Sequence, residues 1–208
     1  MNRSWSFLIG VLATILFSMA GLVLVPNWQF QELQPVVDDN EVAHPVKPEG
    51  STYLGRQVYI SEGCIYCHSQ QVRSSDFGAD IARNWGTRRS VARDYIYDQP
   101  HLMGTMRTGP DLANIGARQP SREWHYLHLF NPQITSEGSV MPPFRFLFKK
   151  VEVESVSGAE RRSKWIQIPA KYTGAGKPMY LLPTQRASDL VDYLLSLDHS
   201  YDLPEAHQ

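Results

Sequence analysis

The chain has 208 residues, 42% of them hydrophobic, enough for one domain of ordinary size with extensions and too apolar for a disordered protein. Lys and Arg number 20 against 21 Asp and Glu, a formal net charge of -1, which gives no support to nucleic acid as a general partner. The two cysteines lie three positions apart, so no long-range disulfide is available within the chain.

Residues 1–26 read as a transmembrane anchor. From Ser6 to Val25 the chain is uncharged and mostly apolar, and the run ends at Pro26. About 20 such residues at roughly 1.5 Å each cross a hydrocarbon core. A cleaved signal peptide is the competing reading, because Ser18-Met19-Ala20 offers a small-x-small site. Leu22, Val23, Leu24 and Val25 prolong the apolar run beyond it, which favours the anchor. Arg3 precedes the span, whereas Glu32, Asp38, Asp39 and Glu41 follow it with no Lys or Arg before Lys47. This asymmetry places the amino terminus inside a cytoplasmic membrane crossed once, and the rest of the chain on the periplasmic or outer side.

Residues 27–50, rich in Pro and acidic groups, read as a linker. Residues 51–200 form the main domain and 201–208 a tail. Ser51 or Thr52 is expected to cap a helix carrying Tyr53, Leu54, Val58, Tyr59 and Ile60, with Gly63 ending it. Directly after it stands Cys64-Ile65-Tyr66-Cys67-His68. A Cys-x-x-Cys-His pattern attaches haem: the thiols form thioethers to the vinyl groups and the adjacent histidine reaches the iron. That attachment takes place outside the bacterial cytoplasm, in accord with the charge asymmetry.

Between residues 69 and 107 lie Arg73, Arg83, Arg88, Arg89, Arg93 and Arg107. Most suit a solvated surface, but one or two would pair with haem propionates, and Arg107 is counted among the cofactor-binding residues. In Arg107-Thr108-Gly109-Pro110-Asp111, Pro110 stiffens a loop whose carbonyl would hold the second nitrogen of the proximal imidazole. A helix is expected from Ser121 to Phe130, with Trp124, Leu127 and Phe130 on one face, stopped by Asn131-Pro132. His125 and His128 on it are read as packed or hydrogen-bonded rather than as metal ligands.

An electron-transfer haem takes a soft second axial ligand. Met103 and Met106 precede the proximal loop, so Met141, in the rigid Ser139-Val140-Met141-Pro142-Pro143 loop, and Met179, just before the last helix, are the rivals. That last helix runs from Thr184 to Leu197 with Ala187, Leu190, Leu194 and Leu197 on one stripe. Residues 149–180 read as an insertion in which 151–154 and 164–168 alternate around Ser157-Gly158, a hairpin suited to docking another subunit. The expected fold is an all-α cytochrome c-like domain with this inserted β-hairpin, tethered by one N-terminal transmembrane helix.

The stretches GCIYCHSQQVR, RTGPDLANIGAR, EWHYLHLFNP and SVMPPFRFL, in that order and at family-like intervals, resemble the mono-haem cytochrome c subunit of cbb3-type haem–copper oxidases. The resemblance covers roughly residues 50–148, with the anchor and last helix in outline. It implies one covalently bound haem c with His68 and Met141 as the axial pair. It also implies electron relay to a catalytic haem–copper membrane subunit, with electrons supplied by an electron-donor cytochrome or a quinol-oxidising complex and further cytochrome subunits as neighbours. On this reading the chain is an electron-transfer subunit of a membrane oxidoreductase and not an enzyme by itself. The cytochrome c subunit of a nitric oxide reductase shares the one-span, one-haem plan and is the alternative. A peroxidase is disfavoured, because both axial positions would be filled.

Overall fold

The computed structural model describes residues 3–152, 165–173 and 179–207. It is mostly helical, with two small antiparallel sheets. Two compact units are distinguished: residues 1–46 with 91–98, and residues 47–90 with 99–208.

The first unit carries helix α1, Arg3–Gln31, 29 residues long and apolar enough to cross a membrane. Pro26 does not end it, contrary to expectation. The residues Ala20–Leu24 form a π turn, and Pro26 falls in the first turn of the α-helical segment Val25–Gln31. A proline ring clashes with the carbonyl four residues back, and a widened turn at that place lets the helix pass it. Beyond α1, the short strands β1 (Val36–Val37) and β2 (Ala43–His44) pair antiparallel. The Asp38 carboxylate between them accepts hydrogen bonds from the amides of Asn40 and Val42, each 2.9 Å away.

In the second unit, helix α2 (Gly50–Ser61) crosses α5 (Gln185–Ser196) in the most extensive contact between elements. The expected Ser51 or Thr52 cap is not used. The chain enters through Gly50 at φ +55, so Glu49 is the N-cap and Ser51 and Thr52 already lie in the first turn. The close of α2 is as expected, with Gly63 in the left-handed region at φ +73. Among the described residues, two α-helices lie between: α3 (Ile115–Arg118) and α4 (Arg122–Phe130).

The caps of α4 and α5 follow from the sequence. Ser121 Oγ accepts from the Trp124 amide at 3.2 Å, and Thr184 Oγ1 accepts from the Ala187 amide at 3.3 Å. On α5, Ala187, Leu190, Leu194 and Leu197 are all buried, as the stripe predicts. On α4 the buried residues are His125, Tyr126, Leu129 and Phe130, so the stripe is displaced from Trp124 and Leu127.

The strands β3 (Phe148–Glu152), β4 (Ile166–Gln167) and β5 (Met179–Pro183) form one sheet in the order β3-β5-β4. This corrects the expected hairpin. Strand β3 pairs antiparallel with β5 (Val151 opposite Tyr180), and β4 pairs with the other edge of β5 (Ile166 opposite Leu181). The Ser157-Gly158 turn lies outside the described residues. Residues 201–207, expected as a tail, are tied in: Arg88 Nε donates to Tyr201 O at 2.8 Å, Arg89 Nη2 to Glu205 O at 2.6 Å, and Leu203 is fully buried.

Candidate functional site

The turn after Gly63 brings the motif together. Cys64–Tyr66 form a 3-10 turn, and the amides of Cys67 and His68 both donate to Cys64 O, at 3.2 and 3.0 Å. Cys64, Cys67 and His68 then line one cavity of about 510 Å³, a size suited to a cofactor. Leu190 and Leu194 of α5 and Leu112, Ile115 and Leu129 supply apolar walls. Neither cysteine is in a disulfide. Cys67 is exposed, whereas burial pushes the Cys64 thiol up to about 12.

His68 is oriented from behind. Its Nδ1 lies 2.8 Å from Pro110 O. A carbonyl only accepts, so Nδ1 carries the proton and Nε2 is the nitrogen that presents a lone pair. Burial depresses the pKa of His68, with the Pro110 bond opposing it, so the ring is neutral near pH 7. The loop that offers this carbonyl reaches the ring because residue 109 has no side chain. A Cβ there would lie 2.2 Å from His68 Cε1 and under 3 Å from both ring nitrogens. Gly109→Ala is therefore expected to displace the imidazole, with at least tenfold loss of haem incorporation on a haem-stained gel at equal protein. Unchanged incorporation would show that the ring has room to spare.

Opposite stands α4. Trp124, His125, His128 and Leu129 line the cavity. Trp124 stacks on His128 (centroids 4.6 Å apart, 9° between planes) and meets His125 edge-on at 5.2 Å. His125 Nε2 lies 2.8 Å from Gln119 O, and His128 Nδ1 lies 2.6 Å from Thr135 Oγ1. Burial, then the neighbouring His68 and His125, push His128 down to about 4.

Met141 closes the cavity from a loop held by Gln133, a residue the sequence did not mark. Gln133 Nε2 donates to Ser139 O at 2.7 Å, and its Oε1 accepts from the Gly138 amide at 3.2 Å. The Met141 amide donates to Ser139 Oγ at 3.3 Å, and the Phe144 amide anchors the loop to Leu129 O at 2.8 Å. Met179 is elsewhere. It begins β5 opposite Glu152 and does not line the cavity.

Arg107, expected at the cofactor, does not line the cavity either. Its Nε, Nη1 and Nη2 donate to Ser69 Oγ, Asp80 Oδ1 and Gln71 O. The arginine at the cavity is Arg118, on the same RTGPDLANIGAR stretch, which sequence reasoning did not single out. Its Nη2 donates to Asp111 O, while its buried Nε has no partner. The fully buried Tyr59 hydroxyl, also in the lining, lies beside the Gln70 side chain. A buried donor without a partner is uncommon in proteins, and in a cavity it marks a place for an acceptor-bearing group. Two thiols, an imidazole with Nε2 presented, a thioether, apolar walls and the Arg118 donor fit a haem with its propionates.

Comparison with curated proteins found no match. A family model described as Cytochrome C oxidase, mono-heme subunit/FixO matches residues 2–188, nearly the whole chain. The chain belongs to the FixO family of mono-haem cytochrome c oxidase subunits.

Proposed function

We propose that the chain holds one haem c through thioethers from Cys64 and Cys67, with His68 Nε2 and Met141 Sδ as axial ligands. The observation that carries this reading is the imidazole of His68 fixed by Pro110 O at 2.8 Å in a cavity that both cysteines and Met141 also line. Haem so ligated supplies reversible one-electron transfer. The chain's own residues orient and shield: Pro110 fixes the tautomer of His68, Gln133 holds the Met141 loop, and Arg118 offers a hydrogen bond to a propionate. The α2–α5 crossing beside this cavity supports a cytochrome c-like fold.

Helix α1 anchors the subunit with its amino terminus inside, by the charge asymmetry of Arg3 against Glu32, Asp38, Asp39 and Glu41, and the haem domain then stands on the periplasmic side. There it takes electrons from a donor cytochrome or quinol-oxidising complex and passes them to the catalytic haem–copper subunit. The family match supports an oxidase over a nitric oxide reductase.

The test is covalent attachment. The full chain, made in a host that matures c-type cytochromes, is expected to retain haem on a denaturing gel at 23.7 kDa plus the cofactor, and the Cys64→Ser, Cys67→Ser double variant to lose it. A colourless wild-type band would overturn the proposal.

A further inference from the structure

We propose that Arg107 is a positioning residue for the proximal ligand: through Ser69, Asp80 and Asp111 it clamps the loop whose Pro110 carbonyl holds His68, and so tunes the reduction potential of the haem. This rests on the reading of His68 as an axial ligand.

The segment after the motif and the proximal loop are laced together rung by rung. The Gly109 amide donates to Cys67 O at 2.9 Å and the Leu112 amide to Ser69 O at 2.8 Å. Between these backbone rungs lie two others. One is the His68–Pro110 bond, and the other joins the residues directly following each partner: Ser69 Oγ donates to Asp111 Oδ2 at 2.6 Å. Asp111 is fully buried, its carboxylate also accepts from the amides of Gln71 and Ala113, each at 2.8 Å, and Arg107 Nη2 stands 3.7 Å from its Oδ2. The carboxylate is therefore a fixed post beside Pro110.

Arg107 decides which way the Ser69 hydroxyl points. Its Nε donates to Ser69 Oγ at 2.9 Å. A hydroxyl that accepts there has one proton left to give, and it goes to Asp111. The guanidinium is itself held by Asp80 Oδ1 and Gln71 O, and the other oxygen of Asp80, a carboxylate 2% exposed, accepts from the Arg73 amide at 2.8 Å. Three donors in a fixed fork meet Ser69 Oγ and Gln71 O on the segment after the motif and Asp80 Oδ1 beyond it, which a lysine cannot reproduce. The arrangement holds Pro110 O on the imidazole. A firm hydrogen bond from Nδ1 makes the ring a more basic ligand, which favours the ferric state. Slackening the clamp weakens that effect and raises the potential.

Arg107→Lys and Ser69→Ala each leave the formal charge unchanged, so neither acts by removing a charge near the iron. In the haem-loaded full chain, potential is measured by spectroelectrochemistry and exchange of the His68 Nδ1 proton by NMR. Both variants are expected to shift the ferrous-to-ferric ratio at a fixed potential toward ferrous by about tenfold, or 59 mV for a one-electron couple. Both should also speed the proton's exchange. The double variant should shift no further than the larger single one, since both act on one bond.

Ser69→Ala with unchanged potential and exchange, in a low-spin protein, would overturn the clamp while leaving the ligand reading intact. Should Arg107→Lys fail to fold, Ser69→Ala decides alone. A shift confined to Arg107→Lys, with altered pH dependence of the potential, would place Arg107 on a propionate and also overturn the proposal. The ligand reading itself falls separately, if His68→Ala keeps the wild-type low-spin spectrum.

Discussion

Gly55→Ala is expected to unfold the haem-bearing unit or leave it barely stable. Gly55 lies where α2 crosses α5, and a Cβ there would stand 1.8 Å from Asp189 O, 2.5 Å from the carbonyl carbon behind it and 2.8 Å from Tyr193 Cβ. The first two atoms are backbone inside α5, which cannot swing aside as a side chain can. The helices must part, and parting them opens the packing of Tyr59 on Tyr193, whose rings meet edge-on at 5.4 Å, and of Leu190 and Leu194 around them. Overpacking of this kind costs about 3 kcal/mol where backbone must give way, a large share of the 5–15 kcal/mol that holds a typical domain together. Denaturant unfolding of the purified chain measures it, with Gly10→Ala as control, since nothing stands within 4 Å of a Cβ there. An unchanged midpoint for Gly55→Ala would mean that the helices cross less closely than described.

The readable parts of this chain were those set by local chemistry. The motif residues stand next to one another, Gly63 has to take a positive φ to end α2, and the Ser121 and Thr184 caps bond within their own helices. What the sequence hid depends on distant partners. Arg107 and Arg118 flank the same loop and read alike, yet one faces Asp80 across the chain and the other the cavity, and only the fold separates them. Residues 151–154 and 164–168 alternate as hairpin arms should, but a third strand, β5, brought back from beyond residue 178, stands between β3 and β4 and pairs with both. Its residues Met179–Pro183 have no alternation of their own to announce them, because Leu181 is buried while its neighbours are half-buried. Of the α4 face expected in the core, Phe130 is buried there and Leu127 packs against it, but Trp124 lines the cavity, and an aromatic facing a cofactor has the same period as one facing other side chains.

Replacing Met141 with His is expected to keep the haem low-spin and to lower its potential by on the order of 100 mV, because a thioether favours ferrous iron relative to a second imidazole. The geometry favours this methionine on two counts. Met141 lines the cavity that holds His68, whereas Met179 lies in β5, where its carbonyl accepts from the Ile168 amide at 3.0 Å. The Met141 loop is also held in place from several sides: Gln133 grips Ser139 and Gly138, the Tyr172 hydroxyl donates to Gln133 O at 2.8 Å, and Phe144 is tied to Leu129. A pre-set loop keeps a weak sulfur ligand at the iron against competition from solvent. The weak far-red absorption from sulfur-to-iron charge transfer should therefore vanish in Met141→His and persist in Met179→Leu. The potential should move only in the first. Met141→Leu adds a further check, since it removes the sulfur without offering an imidazole and should leave a partly high-spin spectrum. Should the far-red band disappear with Met179 and survive at Met141, the distal ligand comes from the β5 side and the pairing of His68 with Met141 is wrong.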